Sequence, residues 1–345
     1  MTNGFRQAGI NVLAGIDIDE RCKETYEFNN KPAKLIQANI KTLAVEALEK
    51  GIKVGDGKKK IKIKRNDDEL VFIGCSPCQY WSILKTDKTK SEESKNLLKD
   101  FQKFVGYFKP GFVVVENVPG ILKRLEESPL QAFLDFLKTE KYHYVFDVIN
   151  ASHYGVPQTR RRFLLIASRI TENVRLPIAD TKTKPPTVRQ TIGNEITFAP
   201  IPAGHKDSTD FLHTTAKLSI ENLKRLEVTP HDGGTRKAWS NSELQIPAYV
   251  GKDHCFQTIY GRMFWDKPAP TITTKCHSIS NGRFGHPEQN RGISLREAAT
   301  LQTFDLDYKF FSDSTGGVAK LIGNAVPPQL SLRIAKAIIN FSKDE

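Results

Sequence analysis

The chain has 345 residues, enough for a full hydrophobic core and for one large domain or two unequal ones. Its 51 Lys and Arg against 39 Asp and Glu leave a net charge of +12, which favours a polyanionic partner, although a lysine-rich surface gives the same sum. No apolar run reaches the roughly 18 residues of a membrane span, the first residues lack the apolar core of a signal peptide, and five cysteines at no framework spacing point to a reduced, cytoplasmic protein.

In chain order, residues 1–170 read as alternating strands and helices. Asn11-Val12-Leu13-Ala14-Gly15-Ile16 is strand-like and ends in Asp17-Ile18-Asp19. Lys58-Lys59-Lys60-Ile61-Lys62-Ile63-Lys64-Arg65 interrupts the pattern and reads as a solvated loop or edge hairpin. Leu70-Val71-Phe72-Ile73 is a short buried strand that runs into Gly74-Cys75-Ser76-Pro77-Cys78-Gln79. Leu97, Leu98, Phe101, Phe104, Val105 and Phe108 fall at helical spacing before Phe112-Val113-Val114-Val115, a strand that ends in Glu116-Asn117-Val118-Pro119. Leu130, Phe133, Leu134 and Leu137 repeat the helical spacing before a strand near 143–149. Tyr154-Gly155-Val156-Pro157-Gln158-Thr159-Arg160-Arg161-Arg162 then precedes the strand Phe163-Leu164-Leu165-Ile166. This alternation predicts an α/β sheet, mostly parallel, with ligand chemistry at the carboxyl ends of its strands. From about 170 to 290 the chain is rich in Pro, Thr, Gly and His and weakly periodic, which reads as a smaller loop-rich domain. Helices return at 294–302 and after Pro327-Pro328, where Leu330, Ile334, Ala337, Ile338 and Phe341 share one face.

Three strand-end segments carry chemistry. Cys78 is the candidate nucleophile, provided its thiol can lose its proton. The alternatives for Cys75-x-x-Cys78 are half a zinc site or a redox pair; His254, Cys255, Cys276 and His277 fit no finger spacing, and Gln-Tyr-Trp-Ser after Cys78 gives a redox motif no support. Glu116 ends a very apolar strand, where a carboxylate needs a partner or a job. Such a group can hold or give a proton near neutral pH, or it can simply cap backbone. Asn117 can bond backbone and fix a neighbouring loop. Alternation sends Arg160 and Arg162 to one side and Arg161 to the other, so a carbonyl, phosphate or carboxylate could be gripped by two guanidinium groups, unless they form a solvated turn.

In this order Pro77-Cys78-Gln79, Glu116-Asn117-Val118, Gln158-x-Arg160-x-Arg162, Arg296-Glu297-Ala298-Ala299-x-Leu301-Gln302 and Gly323-Asn324-Ala325-Val326-Pro327-Pro328 resemble successive motifs of the DNA cytosine-5 methyltransferases, across most of the chain. The resemblance implies a Rossmann-like S-adenosylmethionine-dependent methyltransferase sheet with a smaller, loop-rich target-recognition domain. It implies that a cytosine is swung out of duplex DNA, that Cys78 adds to C6, that Glu116 protonates N3, and that Arg162 with Arg160 steadies the base while Asn117 fixes the loop. For S-adenosylmethionine it points to Asp17 on the ribose, Ile18 on adenine, and Asn39 with Ile40 where the family has Asp-Ile, together with Pro77 and Asn324. For DNA it points to Gln79, Ser82 and Lys85 in the loop after Cys78, to Thr271 beside the base, and to Arg236 and Arg262 in the recognition domain. It calls for no metal.

The chain departs from the family at its start, where an Asp-Leu-Phe-x-Gly-x-Gly-Gly strand and loop would wrap the cofactor. Residues 1–9 resemble the helix that follows that loop. The expectation is weaker cofactor binding and lower stability than in a version extended upstream. The domains expected are 1–170 for catalysis and cofactor, 171–290 for target recognition, and 291–345 as a return segment completing the catalytic domain. The expected partners are duplex DNA and a cognate restriction endonuclease, with the protein acting as a monomer. An RNA (tRNA) cytosine-5 methyltransferase and a catalytically inactive DNA-binding paralogue are the rival readings.

Overall fold

The structure, a computed structural model, describes residues 1–54, 59–75, 96–122, 129–240, 242–251 and 258–341. The chain forms two compact units. The α/β unit comprises Thr2–Asn150, Arg161–Ala179 and Ser331–Glu345; the loop-rich unit comprises Met1, Ala151–Arg160 and Asp180–Leu330.

The α/β unit opens with helix α1 (Thr2–Gln7), strand β1 (Ala14–Asp17), helix α2 (Lys23–Asn29) and strand β2 (Lys34–Gln37). β1 and β2 pair in parallel, Ala14 opposite Lys34 and Asp17 opposite Gln37. Helix α3 (Val45–Lys50) leads to a hairpin of β3 (Ile52–Val54) and β4 (Lys59–Ile61). Here Ile61 and Ile63 are buried while Lys60, Lys62 and Lys64 are exposed, so the basic run is the solvated face of a two-faced segment.

Strand β5 (Val71–Gly74) precedes helix α4 (Leu97–Phe108), strand β6 (Phe112–Asn117), helix α5 (Pro129–Thr139) and the strands β7 (His143–Asn150) and β8 (Arg161–Ser168). Their sheet has the order β5-β6-β8-β7. β5 and β6 are parallel, while β6–β8 and β7–β8 are antiparallel. The mostly parallel sheet expected is thus mixed, because no crossover helix separates β7 from β8. The apolar faces of α4 and α5 pack on β6 and β8 through Leu98, Phe101, Val105, Leu130, Phe133 and Leu137. Each fully buried side chain of this size contributes roughly 2 kcal/mol. Helix α4 ends at Lys109, in the left-handed region at φ 46°, and Gly111 turns the chain into β6. A Cβ on Gly111 would lie 1.8 Å from the Asp68 carbonyl oxygen, so only glycine fits there. Among the described residues β1 pairs only with β2 and β5 only with β6.

The loop-rich unit has short helices and no named strand among its described residues. Helices α6 (Val188–Ile192) and α8 (Leu295–Leu301) start with capping boxes, Thr187 with Gln190 and Ser294 with Glu297. Helix α7 (Ile220–Val228) is capped by Ser219, and helix α9 (Thr315–Asn324) by Ser314. Val188, Ile192, Met263, Trp265, Ile272, Leu295, Ala299, Leu301, Val318 and Ile322 are among its core residues. Because α8 and α9 join this core, residues 291–330 belong to the loop-rich unit, as do residues 151–160. Within helix α10 (Pro328–Phe341) the chain passes into the α/β unit at Ser331. The boundaries therefore differ from those read from composition, which does not register which core a segment joins.

Candidate active site

In the α/β unit, Glu116 and Asn117 end β6, both buried. Glu116 stands opposite Leu164 in the antiparallel pair β6–β8. Arg162 lies two residues before Leu164, so its side chain projects from the same face, diagonal to Glu116. The Arg162 Nε is 3.1 Å from Glu116 Oε1, and both side chains are nearly buried, at 15% and 11% exposure. Burial lowers the Arg162 pKa below the usual guanidinium value, with Glu116 opposing the fall. Arg162 Nη1 also donates to the Arg161 carbonyl at 2.7 Å. Glu116 Oε1 makes no hydrogen bond among the described residues, so one acceptor faces the cation without being used. Asn117 Oδ1 accepts from the Val118 N–H at 2.6 Å, and its Nδ2 has no partner among the described residues.

The strand β5 runs parallel to β6 with Gly74 opposite Val115, which carries the next residue, Cys75, level with Glu116. Cys75 is exposed by surface area. Desolvation by atoms crowding its sulfur, and then the Glu116 carboxylate, push its thiol up to about 12. Even the ordinary thiol value leaves it protonated at neutral pH. Pro77, Cys78, Gln79, Ser82 and Lys85 lie outside the described residues.

At the carboxyl end of β1, Asp17 is exposed and its carboxylate accepts the Asp19 N–H at 2.8 Å. Ile18 beside it is 66% exposed, an unusual position for an isoleucine unless something covers it. Beyond β2, Asn39 is half-buried with Oδ1 accepting from the Lys41 N–H at 3.0 Å. Ile40 packs against two parts of the core.

In the loop-rich unit, Arg160 is 3% exposed and its guanidinium donates to three carbonyls: Ile272 at 3.0 Å, Ala325 at 3.2 Å and Gly323 at 3.4 Å. Its charge braces backbone within the loop-rich unit. Two arginines expected at the DNA are buried in the loop-rich unit. Arg262 is fully buried and donates to the carbonyls of Thr229, His286, Gln289 and Leu226 and to Asn290 Oδ1. Arg236 is 1% exposed, with its guanidinium over the Tyr249 ring. Buried loops leave carbonyls without a ladder, and a guanidinium with five donors can satisfy several at once. Thr271 is half-buried and donates to the Thr159 carbonyl at 2.7 Å. Asn324, the last residue of α9, is exposed.

Sequence reasoning assigned no role to several buried polar groups here. Gln158 and Gln302 are wholly buried and hydrogen-bonded to each other at 2.6 Å. Arg291 and Glu297 form a fully buried two-pronged ion pair at 2.7 and 2.8 Å. Against burial, which would raise it, the Arg291 hydrogen bonds and charge hold the Glu297 carboxyl at about 2. His286 Nδ1 accepts the Glu288 and Gln289 N–H groups, at 3.2 and 3.0 Å, so its proton sits on Nε2, toward Glu297. Burial pushes the His286 pKa down to about 3. The advance signals were Gln158, Glu297 and Gln302, quoted within motifs without a partner.

The family model of C-5 cytosine-specific DNA methylases matches residues 1–340. The chain belongs to the C-5 cytosine-specific DNA methylase family. This methylase is 35% identical to the Type II methylase M.HgiDII of Herpetosiphon aurantiacus over 344 residues, 99% of its own chain and 92% of that relative. It is 30% identical to the Type II methyltransferase M1.BsuMI of Bacillus subtilis, covering 96% of its own chain and 74% of the relative. In fold it is similar to a crystal structure described as a prophage-encoded DNA modification methyltransferase of E. coli, with a TM-score of 0.72 at 19% identity, covering 99% of this chain and 96% of that one. Spodoptera frugiperda DNMT2 shares the fold at a TM-score of 0.61 and 15% identity, over 98% of this chain and 95% of that one. The methylase is a DNA (cytosine-5-)-methyltransferase with the expected α/β methyltransferase architecture.

Proposed function

We propose that this methylase acts on a cytosine turned out of duplex DNA, through a transient bond between Cys78 and C6 of the base. The observation that carries the reading is the Glu116–Arg162 pair at the carboxyl end of β6, with the carboxylate held beside the cation. Protonated, this carboxyl can donate to N3 of cytosine, which is an acceptor. As the Cys78 thiolate adds to C6, Glu116 gives N3 a proton and the electron pair moves to C5. C5 then takes up a methyl group. Loss of the C5 proton to a base re-forms the double bond, expels the Cys78 sulfur and returns the N3 proton. Arg162 keeps the carboxylate aimed throughout.

The methyl donor of this reading is S-adenosylmethionine, whose sulfonium supplies an electrophilic methyl group. Residues of the β1 end fit an adenosine: an exposed carboxylate, Asp17, for ribose hydroxyls, next to an exposed apolar side chain, Ile18, for the adenine face. Asn39 would accept from the adenine amino group and Asn324 would line the same cofactor, with Ile40 and Pro77 alongside. Gln79, Ser82 and Lys85 would meet DNA close to the reacting base, and Thr271 its edge. The Type II naming of the relatives supports a protective role against a cognate restriction endonuclease.

Transfer of tritiated methyl groups from S-adenosylmethionine to unmethylated DNA of mixed sequence tests this, with Cys78→Ala alongside. Label in DNA from the unaltered chain alone is expected, together with a denaturant-resistant complex on 5-fluorocytosine DNA. Label transferred equally by Cys78→Ala would overturn the covalent route.

A further inference from the structure

Two motif glutamines form a relay through the loop-rich unit. The Ile272 N–H donates to Gln158 Oε1 at 3.0 Å. Gln158 Nε2 donates to Gln302 Oε1 at 2.6 Å and to the Leu301 carbonyl at 3.3 Å. Gln302 Nε2 donates to the carbonyls of Ile322 and Ala325, both at 2.9 Å. Each amide oxygen accepts and each amide nitrogen donates twice, so neither group can flip without losing its partners. The direction of the relay is therefore fixed. Arg160, two residues beyond Gln158, closes a second path by donating to the Ile272, Gly323 and Ala325 carbonyls. Ile272 is thus held at both its N–H and its carbonyl from the 158–160 segment.

The relay joins two segments that touch through their backbones. A Cβ on Gly323 would lie 2.2 Å from the Thr273 carbonyl carbon, so 271–274 and 322–325 approach as only glycine permits. The relay is surrounded by apolar core, with Ile272, Leu301 and Ile322 all at 0% exposure. Two apolar side chains of equal volume would fill that space without burying two amides. What the amides add is register: they hold one backbone at a set height against another. One of these segments carries Thr271 and the other carries Asn324, the residues read above as facing the target base and the cofactor.

We propose that Gln158 and Gln302 are positioning residues for methyl transfer, fixing the Thr271 segment against the Asn324 segment. The inference rests on the function proposed above. Its test uses Gln158→Met, Gln302→Met and the double variant, assayed for methyl transfer well below each protein's own melting temperature, so that unfolding takes no share. Each single variant is expected to lose roughly 10- to 100-fold in kcat, as ångström-scale misplacement does, with KM for DNA within about threefold of the unaltered chain. The double variant should be no worse than the worse single, because one broken relay cannot be broken twice. Unchanged kcat in both singles overturns the proposal. If the unaltered chain transfers no methyl groups, the function reading fails instead. The relay is then read from amide exchange of residues 269–274, expected to quicken about tenfold in Gln302→Met, and unchanged exchange there overturns it.

Discussion

Glu116 and Arg162 meet because two antiparallel strands place them on one face, a pairing that the expected parallel sheet did not foretell. Replacing Glu116 with Gln keeps the shape and removes both the charge and the transferable proton. The expected result is a loss of roughly a hundredfold or more in kcat, measured well below a melting temperature that itself falls because Arg162 loses its buried counter-ion. The arginines of the loop-rich unit were not legible. Arg262 sits in a stretch whose charge pattern is that of a DNA-facing surface, yet it donates to four carbonyls and one side chain and shows 0% exposure. Even buried enough to lower its pKa to about 10, it stays charged at neutral pH. Nothing in residue spacing reveals which carbonyls a distant loop will leave unpaired. Arg262→Met should destabilise the protein by about 3 kcal/mol or more, read as a lower urea midpoint, because several buried acceptors lose their donor together. A variant with a normal midpoint but weakened DNA binding would restore Arg262 to the DNA surface.

At the scale of elements, α4, α5 and α10 were readable from apolar residues at helical spacing, and the structure places them there. Helix α9 was not, since Gly316, Gly317 and Gly323 dilute its pattern and read as loop. The start of α8 concentrates the polar core: Ser294 caps it, His213 Nδ1 meets the Ser294 hydroxyl at 2.9 Å, and Glu297 pairs with Arg291 beside His286. This arrangement makes the protein acid-labile in two steps. His286 has its folded value near 3, below its ordinary 6.5, so the stability it contributes is complete above 6.5 and is lost as pH falls from there toward 3. Glu297, near 2 instead of 4.5, adds a loss that begins below 4.5. The melting temperature should therefore fall from pH 7 to pH 5, before carboxylates titrate. His286→Gln, which offers an acceptor and a donor without a titrating ring, should flatten that interval. An equal slope in the variant would assign the loss elsewhere.

For the whole molecule, composition gave an α/β part and a loop-rich part, and compact packing drew the border elsewhere, since the helix at 294–302 read like α/β but completes the other core. Within the α/β unit, stability is expected to be graded. β6 is paired on both sides and buried along its length, whereas β1 and β5 have one paired edge among the described residues. Native-state amide exchange should rank β6 and β8 slowest and β1 and β5 faster by a factor of ten or more, roughly. Equal protection in β5 and β6 would mean that the open edges are covered in solution.

The loop-rich unit is assembled from segments far apart in the chain, with consequences during synthesis. The Arg160 side chain finds its first carbonyl 112 residues later and its last 165 residues later. At ordinary elongation rates of about 5–20 residues per second, that interval lasts roughly ten to thirty seconds. Through it the emerging chain holds the apolar faces of finished strands while their partners are still untranslated. The α/β unit cannot close on the ribosome before Ser331–Glu345 appears, and the loop-rich unit cannot close before α9 does. Such a nascent chain is a natural client for chaperones, and a premature stop anywhere before α9 would leave two unfinished cores instead of one working half.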